Sequence, residues 1–206
     1  MGQILKFPAQ TPKLGYKRVK KRAKAADNDD QLHLFPAPSA QILQFAPELS
    51  RFEQALLSDE RGDPMAAELY TKAIEVQDCI ADAYCNLGII FSQRGNTAKA
   101  FDSFTTSLKH DPRHTEAHYN LGNLYFELND FRLAQVHYEM AAEVDPTFAN
   151  VYFNLALVQA IKSDLGAAVS ALAKYQELVP EDQARHADEL LANLKKSLAA
   201  ASPKAW

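Results

Sequence analysis

Three histidines set four residues apart, His110, His114 and His118, have the spacing that first suggests chemistry, because imidazoles at i and i+4 share one helix face and can ligate a metal. Asp111-Pro112 falls between them and breaks any helix that would stack them. They are therefore expected to be solvated turn residues, with His118 in a packing seam, and no metal site is expected. Cys79 and Cys85 form no CxxC pair and read as free thiols of a reducing compartment. The chain carries no Gly-rich phosphate loop, nucleophile elbow or paired-carboxylate cluster, and its seven glycines leave little room for one. Catalysis and a cofactor are not expected. The spacing that does persist is amide chemistry: Asn86, Asn120 and Asn154 lie 34 residues apart. A side-chain amide both donates and accepts, so it can pair with a peptide group whatever that peptide's sequence.

The elements that position these amides repeat with them. Tyr84-Cys85-Asn86-Leu87-Gly88, Tyr119-Asn120-Leu121-Gly122 and Phe153-Asn154-Leu155-Ala156 are one phrase written three times. Tyr84, Leu87, Gly88 and Phe91 recur at i, i+3, i+4 and i+7, one face of an α-helix. A second apolar column follows, with Ala100, Ala134 and Ala168, then Phe104, Tyr138 and Leu172. Between the halves, Arg94-Gly95-Asn96, Leu128-Asn129-Asp130 and Lys162-Ser163-Asp164 supply short turns with helix caps. Each unit stops at Pro112, Pro146 or Pro180. Glycine inside a helix costs about 1 kcal/mol against alanine, so Gly88 and Gly122 imply close approach by the paired helix, with Ala156 as the next smallest residue.

This pattern resembles the tetratricopeptide repeat family. The resemblance implies an all-α fold, an α-solenoid in which helix-turn-helix units form a right-handed superhelix. Four repeats are expected over 47–182, a degenerate one at 47–80 and others at 81–114, 115–148 and 149–182. A capping helix is expected at 183–201, where Ala187, Leu190, Leu191, Leu194 and Leu198 give an apolar stripe. An atypical first unit, with its first helix near 48–58, suits a solenoid end.

Carried over from the family, Asn86, Asn120 and Asn154 line the concave surface and hold the backbone of an extended peptide; the competing reading has each Asn fixing its own helix pair. Ile89, Tyr119, Asn123, Phe126, Phe153 and Leu157 would line the same groove, with Cys85 and Ile161. The paired Lys and Arg with which chaperone-binding members grip a terminal carboxylate are missing, which favours an extended apolar segment as ligand. The expected function is a non-enzymatic protein–protein interaction adaptor.

Ahead of the repeats, residues 1–24 carry eight Lys and Arg and no acid, so with a net of −4 the remainder stands at −12. Residues 1–46, with four prolines, charge blocks and little helical periodicity, are expected to form a disordered basic arm. Lys17, Arg18, Lys20, Lys21, Arg22 and Lys24 could meet phosphates of nucleic acid or another polyanion; the alternative is a solvated tail, or one that meets the protein's own acidic domain. Gln31, Leu32, Leu34 and Phe35 resemble the Gln-Leu-x-Leu-Phe peptide by which bacterial polymerases and repair proteins dock on the DNA sliding clamp. That resemblance implies a replication or repair accessory as the alternative function. Its rival is self-docking, since Gln3-Ile4-Leu5-Lys6-Phe7 and Gln41-Ile42-Leu43-Gln44-Phe45 share the amphipathic look. No apolar run is long enough to span a membrane, and the start lacks the apolar core of a secretory signal. Lys6 stands where myristoylation wants Ser or Thr, while Pro8, Pro12 and scarce Ser argue against an organellar presequence. A cytoplasmic protein is expected.

Overall fold

The computed structural model describes residues 15–20 and 48–201. Among them are nine α-helices: α1 (Arg51–Glu60), α2 (Ala66–Glu75), α3 (Ile80–Gln93), α4 (Thr97–His110), α5 (Thr115–Glu127), α6 (Phe131–Val144), α7 (Ala149–Ile161), α8 (Leu165–Leu178) and α9 (Glu181–Ala201). Consecutive helices pack as antiparallel pairs, each pair stacks on the next, α9 covers α8, and α3 also touches α5. The chain is an α-solenoid, as the repeated phrase predicts.

The 34-residue period is built from three local devices. Asn96, Asp130 and Asp164 cap α4, α6 and α8, their side chains accepting from Lys99 N at 3.1 Å, Leu133 N at 3.0 Å and Ala167 N at 3.1 Å. Just before each cap the chain turns through positive φ, at Gly95 (73°), Asn129 (60°) and Ser163 (66°). Deep in each pair, Ala100, Ala134 and Ala168 are fully buried. A Cβ on Gly88 would stand 2.5 Å from Phe104 Cε1, and one on Gly122 2.6 Å from Tyr138 Cε1. The glycines thus make room for a ring inserted from the second helix. At the third unit Leu172 replaces the ring, and Ala156 fits beneath it.

The first pair is closed differently. Ser50 and Glu53 form a reciprocal capping box on α1, with Glu53 N donating to Ser50 Oγ at 3.2 Å and Ser50 N to Glu53 Oε2 at 2.9 Å. Helix α1 starts three residues later than expected from the sequence, because Ser50 holds its first turn. Tyr70 from α2 fills the centre of this pair against Phe52.

Six residues of the arm belong to the folded structure. Residues 15–20 run extended across the face formed by α3 and α5, and Val19 is buried in the cluster that holds Cys85, Ile89, Phe104 and Leu121. Residues 31–35, the clamp-like motif, lie outside the described residues, as do Lys21, Arg22 and Lys24.

Candidate peptide-binding site

Asn86 sits on α3 and Asn120 on α5, both fully buried. A buried amide must find partners for its oxygen and its nitrogen, and each of these finds them on the backbone of residues 17 and 19. Lys17 N donates to Asn120 Oδ1 at 2.7 Å, and Asn120 Nδ2 donates to Lys17 O at 3.0 Å. One repeat earlier, Val19 N donates to Asn86 Oδ1 at 3.0 Å and Asn86 Nδ2 to Val19 O at 3.3 Å. The segment therefore runs against the order of the repeats, and the two amides together grip alternate residues, as an adjacent strand would.

The side chains between and beside those rungs have partners of their own. Arg18 Nε lies 2.7 Å from Asp59 Oδ2, a carboxylate at the end of α1 that is only 6% exposed. Asp59 also accepts from Tyr70 OH at 3.3 Å, and Tyr70 OH accepts from Asn86 Nδ2 at 3.1 Å, so Arg18 and the first rung are joined through one chain of polar contacts. Burial pushes the Asp59 carboxyl above its ordinary range, while the Arg18 charge and the Tyr70 hydroxyl work against that rise. Tyr16 lies nearly parallel to the Phe104 ring, with centroids 6.1 Å apart. Its hydroxyl donates to Glu127 Oε2 at 2.9 Å and accepts from Ser92 Oγ at 2.6 Å. Burial above all, with the Glu127 charge in support, drives the Tyr16 phenol far above its usual pKa. Lys17 Nζ stands 5.6 Å from the centre of the Phe148 ring, within cation–π reach. Burying Val19 contributes about 1.5 to 3 kcal/mol before the cost of ordering the segment.

The predicted groove residues do not all lie at the arm segment. Asn86, Asn120, Cys85 and Ile89 meet or share a cluster with it. Ile161 is exposed at the end of α7, and the others are engaged within the repeats. Asn154 Nδ2 donates to Asn123 Oδ1 at 2.9 Å, an oxygen that also accepts from Tyr138 OH at 2.7 Å. Tyr119 is packed between Tyr138 and Phe148, Phe126 meets Phe131 edge-on, Phe153 meets Tyr175 edge-on, and Leu157 is buried in the neighbouring core. Asn86 and Asn120 thus contact an extended backbone, while Asn154 ties α7 to α5 of the preceding pair rather than to its own partner α8.

Of the basic residues assigned to polyanions, Arg18 faces Asp59, Lys17 lies over Phe148, and Lys20 is exposed. The sequence reading did not find Asp59, Ser92, Glu127 or Phe148 as site residues. Asp59 lies in the degenerate first unit, where no phrase marks its position.

One of the three histidines is placed otherwise than expected: His110 is exposed and His118 is buried in a seam, but His114 is not solvated. His114 is fully buried rather than solvated; it caps α5 by accepting from Ala117 N at Nδ1 (3.1 Å), and its Nε2 lies 2.9 Å from Asp82 Oδ1. His118 pairs through Nδ1 with His137 Nδ1 at 3.1 Å, and its Nε2 approaches Pro112 O at 3.1 Å. Among the described residues no group of three or more His, Cys, Asp and Glu could hold a metal. Nor is any helix there long and apolar enough to cross a membrane.

Comparison with known proteins agrees with the architecture. Residues 81–114 and 115–148 each match a tetratricopeptide repeat model. The BBSome complex member BBS4 of Bos taurus is 28% identical over 123 residues, 59% of this chain and 24% of that protein. The chain spans less than a quarter of the length of the curated relatives it matches. Among solved structures, YrrB, described as a TPR protein with an unusual peptide-binding site, superposes with a TM-score of 0.57 at 22% identity, covering 71% of this chain and 76% of that one. The first TPR of Spaghetti (RPAP3) bound to the HSP90 peptide SRMEEVD gives 0.54 at 21% identity, covering 58% and 93%. These likenesses establish the repeat fold.

Proposed function

We propose that this chain is a protein–protein interaction adaptor that holds an extended peptide by its backbone, with Asn86 and Asn120 as the grip. The observation that carries this reading is the paired donor and acceptor contact each amide makes with residues 17 and 19. Neither contact involves a ligand side chain, so both are available to any extended segment. The peptide-bound repeat structure of RPAP3 and the peptide-binding site named for YrrB support it by analogy of fold. An apolar ligand is expected because terminal-carboxylate cations are missing. The segment seated here buries an aliphatic side chain, Val19, and adds an arginine matched by Asp59 and a phenol hydroxyl held by Glu127.

The test uses the full chain and limited trypsin digestion. In the double variant Asn86→Ala/Asn120→Ala, cleavage after Lys17, Arg18 and Lys20 should accelerate at least tenfold, since two buried pairs of contacts are lost. Unchanged cleavage in a variant that remains helical would refute the grip.

A further inference from the structure

We infer that the groove selects its ligand by side chain as well as by backbone, and that the partner it fits carries an extended segment with an aromatic residue, any residue, arginine and a small aliphatic in succession. This rests on the groove reading above. Residues 16–19, Tyr-Lys-Arg-Val, are the built-in example that such a partner must displace.

Each selective position has its own receptor. The arginine meets Asp59, a carboxylate only 6% exposed, and the two line a cleft of about 160 Å³ together with Asp63, Pro64 and Arg94. An uncharged side chain there would leave the Asp59 charge buried without its cation, and an acidic one would face it directly. The aromatic position requires a flat ring against Phe104 and a hydroxyl between Ser92 and Glu127. The aliphatic position is closed, Val19 being 1% exposed among Ile89, Phe104 and Leu121. Charge agrees at longer range, because the chain beyond residue 24 carries −12 against the +8 of the arm. The position between ring and arginine is exposed in Lys17, whose ammonium has only the Phe148 ring beneath it, so it tolerates more variation than its neighbours.

Covalent attachment gives the built-in segment an advantage. A tethered ligand acts at an effective concentration on the order of 1 mM. With an intrinsic Kd of about 10 μM for the built-in segment, any partner peptide would therefore bind the intact chain roughly a hundredfold more weakly than the empty groove.

The experiment uses a fluorescein-labelled peptide covering residues 12–22 and measures anisotropy. It is titrated with the full chain and with a full chain whose own segment is weakened by Tyr16→Ala/Arg18→Ala/Val19→Asp. The weakened chain should bind at least tenfold more tightly than the unaltered one. A peptide with Arg18→Glu should lose at least tenfold on the weakened chain, and Asp59→Asn in that chain should level the Arg18 and Arg18→Gln peptides. As a second measurement that does not need the weakened chain, excess peptide should speed amide hydrogen exchange at Lys17 and Val19 of the unaltered chain's own segment, detected by mass.

Equal affinity for the parent and Arg18→Glu peptides, still dependent on Asn86 and Asn120, overturns the side-chain selection and leaves the backbone grip standing. Equal affinity of both chains for the parent peptide overturns the competition. Peptide binding that ignores both asparagines overturns the groove reading itself.

Discussion

Alanine at Gly122 should destabilise the protein even though it removes a glycine from the interior of α5. The added Cβ would lie 2.6 and 2.7 Å from Tyr138 Cε1 and Cδ1 and 3.2 Å from Cζ. Carbon atoms rest about 3.5 to 4.0 Å apart, so the ring would have to retreat by nearly 1 Å. It cannot swing aside: Tyr138 is fully buried, packs against Tyr119 and donates its hydroxyl to Asn123. Overpacking of this kind costs about 1 to 3 kcal/mol, and the gain in helix propensity returns about 1 kcal/mol. A net loss of up to about 2 kcal/mol is expected, a fall in melting temperature of up to roughly 4 to 8 °C. Leucine at Tyr138 in the same chain should recover much of it, because Ala156 beneath Leu172 is that combination one repeat on. Tyr138→Leu alone should be destabilising, so the double-mutant cycle should show coupling of at least about 1 kcal/mol. Urea denaturation followed by circular dichroism supplies all four stabilities. A Gly122→Ala chain that is more stable by about 1 kcal/mol, as propensity alone demands, would show that the ring has room and refute the close-approach argument.

The same reasoning at Gly88 predicts a second effect, since Phe104 is the ring under Tyr16: Gly88→Ala should speed trypsin cleavage at residues 17–20, whereas Gly122→Ala should not. His137 is held at a pKa of about 4 by burial, with the His118 charge in support. A depressed pKa means the folded state binds fewer protons, so stability is complete above pH 6.5 and is lost as pH falls toward 4. About 1 to 2 kcal/mol should go over that interval, less than the full difference because the ring is partly solvated, and urea titrations of His137→Gln should show a flatter profile. Removing the cap carboxylate with Asp130→Ala or Asp164→Ala should each cost about 1 kcal/mol by the same assay. Arg18 opposes the raised pKa of Asp59, so the seated segment favours the ionised carboxylate. Its hold should weaken as pH falls through that pKa; the Val19 amide resonance followed by NMR should report the release, and Asp59→Asn should remove the pH dependence.

The repeats were legible because their signal is local and written several times. Helix faces, caps and terminal prolines lie within a few residues of what they organise, and the 34-residue spacing let one unit check another. The site was legible only on the receptor side. Asn86 and Asn120 stood out through their period, but their partners on the arm lie 67 and 103 residues away, and no periodicity links them. For Lys17, Arg18 and Lys20 a polyanion, solvent and the protein's own acidic domain all stayed open, because a row of cations reads the same whether it faces water, phosphate or one buried aspartate. Tyr16 was visible as the single aromatic beside that run, but nothing local told that its ring meets Phe104. His114 was misplaced for a related reason: the proline that breaks a helix before it also makes it the first cap of the next one, and a cap can be buried.

The antiparallel register turns the stack into a ruler. Successive repeats offer their amides to every second ligand residue, Asn120 to residue 17 and Asn86 to residue 19. Two residues of extended chain cover about 6.6 Å, less than the 8 to 10 Å between packed helices, so the amide heads must converge to keep pace with the strand. A bound segment is thereby measured in steps of two. Inserting one residue between ring and arginine would carry every later side chain to the opposite face of the strand, whereas inserting two would restore the faces and move that part of the ligand by one repeat.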